Sequence, residues 1–293
     1  MRFADRLADA VARKGSTLCV GLDPRIDLLP PELVIGLKPG TAGRARAYER
    51  FCEGVLDAVV DEAVAVKPQV AFFEALGGHG ISALERVCAL AAERGLIVIA
   101  DAKRGDIRST AEAYAEAWLA PRSESGRPVA DAVTVNPYLG SDSLEPFLAA
   151  CGTGAGLFVL ARTSNPGASD LQEAVLADGR PLWERTAELI AGWGEAHVGE
   201  SGLSSVGAVI GATRPEAVER ARELMPHQVL LLPGVGAQGG RAADLAAAFR
   251  DHPAGGLVVA ARSVIYAWRE RHGDWQQSVR AAAAELRQAV PAT

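Results

Sequence analysis

The chain has 293 residues, 49% of them apolar, which is enough for one large core or two small ones. Its formal charge is −6 with no basic tract, which argues against nucleic acid as the main partner. No apolar run reaches the ~18 residues of a membrane-spanning helix. Cys19, Cys52, Cys88 and Cys151 are far apart, so reduced, mostly buried thiols in a cytoplasmic protein are expected, and no metal site.

In chain order, residues 1–14 mix charges with Phe3, Leu7 and Val11 at helical spacing. They read as an amphipathic first helix without a signal-peptide core. Short runs rich in Val, Leu, Ile and Ala then recur at 18–23, 63–67, 96–103, 132–136, 156–163, 206–212, 229–233 and 257–261. Several lack alternation, as strands buried on both faces should. Helical spacing fills the gaps: Tyr48, Phe51, Val55 and Val59; Leu84, Val87, Cys88 and Ala91; Leu182, Ala187, Leu189 and Trp193; Leu245, Ala248 and Phe249; Val279, Ala283, Leu286 and Val290. Segments 121–130 and 165–180 read as loops, the second placed where a lid could form. His79, beside Gly77 and Gly78, reads as a loop residue. Eight strands alternating with helices, and no linker, predict a single (β/α)8 TIM barrel domain over residues 1–293 rather than a doubly wound open sheet.

Such barrels build their sites at the carboxyl ends of the strands. Polar residues collect there: Asp23 after the first run, Lys67 and Gln69 after the second, Asn136 after the fourth, Thr163, Ser164 and Asn165 after the fifth, and Arg262 after the eighth. The third run ends in Asp101-Ala102-Lys103-Arg104-Gly105-Asp106. Alternation on a strand puts Asp101 and Lys103 on one face with Ile99. Opposite charges ~4 Å apart attract by ~4 kcal/mol at an effective dielectric of 20. A lysine between two carboxylates is held as a cation and is suited to protonate a strong base. Taken by itself, an Asp-x-Lys pair at a strand end is also an ordinary way to fix a turn.

The seventh run continues from Pro233 into Gly234-x-Gly236-x-x-Gly239, the letters of a dinucleotide fingerprint. That fold wants an acidic residue about 20 positions later, where this chain has Arg262. Loops after strands seven and eight are instead the usual phosphate site of a barrel. Gln238 offers an amide there and Arg262 a bidentate fork.

Asp101, Lys103, Asp106 and Ile107 resemble the active-site signature of the orotidine 5'-phosphate decarboxylase family, and the likeness runs from Gly21-Leu22-Asp23-Pro24 to Arg262-Ser263. The Thr163-Ser164-Asn165-Pro166-Gly167 run resembles the bacterial subgroup first seen in mycobacteria. The resemblance implies a cofactor-free TIM barrel, acting as a homodimer, that converts orotidine 5'-monophosphate (OMP) to UMP and CO2, the last step of de novo UMP synthesis. By the same resemblance Lys103 is the proton donor, Asp101 lies beside the substrate carboxylate, Lys67 is the other lysine of a charged catalytic array, and Asp106 belongs to that array too. Asp106, with Ile107 and Thr110, reaches the partner subunit's site. Asp23 holds ribose hydroxyls, Ser164 the pyrimidine edge, and Gln238 and Arg262 the phosphate, with Asn136, Thr163 and Pro233 as further substrate contacts.

Three rivals make different predictions. Related barrels with Asp-x-Lys-x-x-Asp use Mg2+ to stabilise an enediolate and would be sensitive to chelators. A Schiff-base aldolase needs a neutral lysine, which the flanking carboxylates disfavour. A non-catalytic nucleotide-binding barrel would make no UMP.

Overall fold

The computed structural model describes residues 1–122, 126–236 and 239–290. Eight parallel strands close on themselves in sequence order: β1 (Leu18–Leu22), β2 (Ala65–Pro68), β3 (Ile97–Arg104), β4 (Ala132–Val135), β5 (Gly156–Arg162), β6 (Ser204–Ile210), β7 (Gln228–Pro233) and β8 (Gly256–Ala260). Closure is made by β1 lying between β2 and β8, with Val20 opposite both Val66 and Ala260. All eight expected strands are present, and their ends move by no more than two residues.

Side chains alternate between two apolar compartments, as a barrel requires. Cys19, Ala65, Ile99, Phe158, Val209, Leu231 and Val259 fill the interior. Leu18, Val20, Val66, Val98, Val133 and Leu230 face outward under the helices. Both faces of each strand are thus apolar, which is why the sequence shows runs rather than alternation. The helix Phe3–Lys14 closes the amino end of the barrel. Phe3, Leu7 and Val11 join the interior cluster, and Phe3 meets Phe158 edge to face at 6.0 Å. Each such buried side chain stabilises the fold by about 1.5–3 kcal/mol.

Among the helices, Thr41–Val59 and Gly77–Glu93 bury the faces read from their spacing, and Trp275–Ala289 buries Val279 and Ala283 of its face, with Leu286 and, just past its end, Val290 half-buried against the same core. Three details differ. The helix Leu182–Gly194 buries Trp183, Ala187 and Ile190, whereas Leu189 is exposed, because the tryptophan moves the apolar face round by one residue. Residues Ala242–Phe249 form a 3-10 rather than an α-helical segment, although Leu245, Ala248 and Phe249 are buried as expected. His79 is helical and exposed, because the helix Gly77–Glu93 begins at the glycines rather than after them. All four cysteines are free and buried. Among the described residues no helix is long and apolar enough to cross a membrane.

Candidate active site

A cavity of about 490 Å³ opens at the carboxyl end of the barrel. Its floor is apolar, made by Leu160, Val209, Leu231 and Val259, the last inward residues of β5 to β8. One wall carries Lys67, Gln69, Asp101, Lys103 and Thr134 from β2, β3 and β4. The opposite wall carries Pro233, Gly234, Val235 and Arg262 from the ends of β7 and β8.

Asp101 is the centre of the polar wall and is 6% exposed. Its Oδ2 accepts from Lys67 Nζ and from Gln69 Nε2 at 3.0 Å. Its Oδ1 accepts from Lys103 Nζ at 2.5 Å and from Thr134 Oγ1 at 3.0 Å. Within one chain the carboxylate therefore lies between two amines, rather than the amine between two carboxylates. Burial alone would push the Asp101 carboxyl up, but the Lys67 and Lys103 ammoniums outweigh it and hold it well below the usual carboxylate range. Burial likewise pulls Lys67 down, and the charges of Asp101 and Asp23 more than reverse that. The buried Lys67 ammonium and Asp101 carboxylate are paired with each other, as their desolvation demands.

The backbone is bent to make this array. The β3–β4 register shifts between Ala100 and Arg104, and Lys103 takes a φ of 48°. A non-glycine residue there is strained by about 1–3 kcal/mol. Bulges of this kind re-aim side chains near sites.

Asp23 follows β1 and lines the cavity close to this array. Its Oδ1 is buried and accepts no hydrogen bond among the described residues. Burial raises its carboxyl, an effect only partly offset by Lys67. A buried acceptor left open beside a cavity is a place for a ligand's donor.

The far wall is suited to an anion. Gly234, Gly236 and Gly239 have φ of 108°, 76° and 90°, conformations that strain any other residue. A Cβ on Gly236 would come within 2.7 Å of Ser263 Oγ, so the glycine also lets this loop pack against the start of the helix Arg262–Ile265. Among the described residues no carboxylate lies within ion-pair distance of the Arg262 guanidinium. Gln238 lies outside the described residues.

Thr163 and Ser164 line the cavity between the two walls. Thr163 is tied to the following loop: its N–H donates to Gln172 Oε1 at 2.8 Å, and Gln172 Nε2 donates to its Oγ1 at 2.9 Å. Gln172 thereby lines the cavity as well. Four of the expected residues stand apart from it. Asn136 is exposed, its Oδ1 accepting from the Tyr138 N–H. Asp106 Oδ1 accepts from the Ile107 N–H. Ile107 is 49% exposed and Thr110 is exposed, and neither lines the cavity. Gln69, noted only as a polar residue at a strand end, and Thr134, not named from the sequence, join the site. Both were legible by alternation, Gln69 two residues after Lys67 and Thr134 two after Ala132. Gln172 carries no such signal, because the fold of its loop brings it in.

Fold and cavity together define a class: a TIM barrel whose strand-end cavity sets a lysine–aspartate array opposite a glycine-rich wall with an arginine. Residues 16–272 match the family model described as orotidine 5'-phosphate decarboxylase / HUMPS family. The chain is 44% identical to an orotidine 5'-phosphate decarboxylase of Rhodopirellula baltica over 98% of both chains. It is 44% identical to one of Roseiflexus castenholzii, over 100% of this chain and 98% of that one. The solved structure of Leishmania donovani OMP decarboxylase superposes with a TM-score of 0.77 at 34% identity, covering 98% of this chain and 97% of that one. The chain belongs to the orotidine 5'-phosphate decarboxylase / HUMPS family and is an enzyme of its decarboxylase branch.

Proposed function

We propose that this enzyme decarboxylates OMP to UMP and CO2 with Lys103 as the proton donor. The observation that carries the reading is the Lys67–Asp101–Lys103 array, set across one cavity from Arg262, which has no ion-pair partner among the described residues. Arg262 and the glycine loop bind the phosphate, Asp23 takes ribose hydroxyls through its open Oδ1, and Thr163 and Ser164 meet the pyrimidine. The C6 carboxylate then faces Asp101.

Cleavage of the bond between C6 and the carboxylate carbon releases CO2 and leaves the electron pair on C6. That pair lies in the ring plane, where the π system stabilises it poorly. The Lys103 ammonium stabilises it as it develops and then gives its proton to C6, becoming neutral until it regains a proton from water. The charges are positioned before the substrate arrives, so little reorganisation is needed at the moment of reaction. Phosphate contacts far from C6 contribute binding energy that lowers the chemical barrier.

The half-buried Asp106 with the exposed Ile107 and Thr110, all outside the cavity, supports a homodimer in which these residues complete the partner subunit's site. Mixing inactive Lys103→Ala and Asp106→Ala subunits then restores activity in the hybrid site that carries neither lesion. Verified exchange without recovery removes the shared site.

The test of the activity itself is UMP formation from OMP in a chelating buffer. Undiminished turnover supports the proposal. Turnover that needs added Mg2+ favours an enediolate-forming relative, and no UMP under any condition favours a non-catalytic barrel.

A further inference from the structure

Among the described residues, the hydroxyl of Thr134 is the one group that hydrogen-bonds both the backbone of Lys103 and the side chain of Asp101. It stands on β4, 1% exposed, at the shift in the β3–β4 register. The Lys103 N–H donates to Thr134 Oγ1 at 2.9 Å, and Thr134 Oγ1 lies 3.0 Å from Asp101 Oδ1. A threonine hydroxyl has a single proton and two lone pairs. Because it accepts from the amide, its proton is free for Asp101, which must then be an acceptor on Oδ1. That is the ionised state which Lys67 and Lys103 also favour. The same oxygen stands in for the strand carbonyl that Lys103 loses by leaving the ladder, and so supports its left-handed conformation.

We infer that Thr134 is a positioning residue for the reaction: it fixes the backbone of Lys103 and the carboxylate of Asp101 to each other, so that the ammonium meets the reacting carbon in one geometry. It is not proposed to touch substrate. The inference rests on the reading of Lys103 as proton donor given above. A valine at this position would have nearly the same shape and neither hydrogen bond, which separates positioning from space-filling.

The experiment compares Thr134→Val, Thr134→Ala, Thr134→Ser and Lys103→Ala for kcat, KM and thermal midpoint. Thr134→Val and Thr134→Ala are expected to lose about 10- to 100-fold in kcat, the usual effect of a hydrogen bond to a charged group. KM should stay within about 3-fold, and Thr134→Ser, which keeps the hydroxyl, should recover most of kcat. The inference is overturned if Thr134→Val turns over like the wild type, if Thr134→Ser is no better than Thr134→Val, or if the loss lies in KM alone. It is also overturned if neither Thr134→Val nor Thr134→Ala folds while Thr134→Ser does, since the residue is then structural. Lys103→Ala separates the two levels: an active Lys103→Ala removes the parent reading, whereas an inactive one beside a fully active Thr134→Val removes only this inference.

Discussion

The two ends of the barrel both bury charge, and they do opposite things with it. Toward the amino end, Arg222 is 3% exposed and has no carboxylate within ion-pair distance among the described residues. Its Nη1 and Nη2 instead donate to five backbone carbonyls, those of Met225, Pro226, Gln228, Ala248 and Gly255, at 2.6–3.1 Å. Burial pulls this guanidinium down to about 10. It ties the starts of β7 and β8 to the helix Pro215–Leu224, and its charge is spent on the backbone. At the carboxyl end, Lys67, Asp101 and Lys103 line a cavity, and among the described residues Asp23 keeps an oxygen open and Arg262 has no carboxylate within ion-pair distance. Burial alone does not mark a functional charge. What marks it is a charge whose remaining valence faces a space a ligand can enter.

That contrast can be broken most forcefully at Arg222. Arg222→Leu strands several buried carbonyls, each worth about 1–3 kcal/mol. Denaturant unfolding should show a loss of more than about 4 kcal/mol, with kcat per folded molecule unchanged. A loss below about 1 kcal/mol would mean the staple is ornamental.

Asp101→Asn is the corresponding cut at the other end. It leaves Lys67 buried beside a neutral amide, and about 3 kcal/mol should be lost at neutral pH. The acid limb gives a second reading of the same residue. Asp101 is held below its ordinary 3.8, so its contribution is present above pH 3.8 and is lost as pH falls from there through the folded value. The wild type should therefore weaken below pH 3.8, and the Asp101→Asn curve should be flatter in that window. Parallel acid limbs would show that other carboxylates dominate.

Asp23→Asn should have the smallest effect and the opposite sign. Its carboxyl is raised above 3.8 by burial, so ionising it opposes folding increasingly as pH rises past that value. The variant should be about 1 kcal/mol more stable at neutral pH and lose activity, and should converge with the wild type in acid. A destabilised Asp23→Asn would show that Lys67 and Asp23 stabilise the fold as a pair.

Most of the barrel was legible because its chemistry is local. Eight apolar runs and their polar ends follow from alternation and burial, and Asp101 with Lys103 from a spacing of two. Thr134 and Gln69 obey the same alternation but are uncharged, so only their contacts with Asp101 make them stand out. Two features were closed to sequence reading. The bulge that puts Lys103 at a positive φ depends on the β3–β4 pairing. Gln172 enters the site through the path of its loop rather than through any strand. Asp106 is plain in the motif, yet in this chain its Oδ1 accepts from the Ile107 N–H, away from the cavity.

The decisive quantity is the turnover of OMP by purified Lys103→Ala beside the wild type. With its melting temperature and circular dichroism unchanged, the variant should lose at least about 1,000-fold in kcat, because among the described residues no other group at Asp101 Oδ1 carries a cationic amine. Retention of more than about a tenth of wild-type turnover would contradict a proton delivered by that amine.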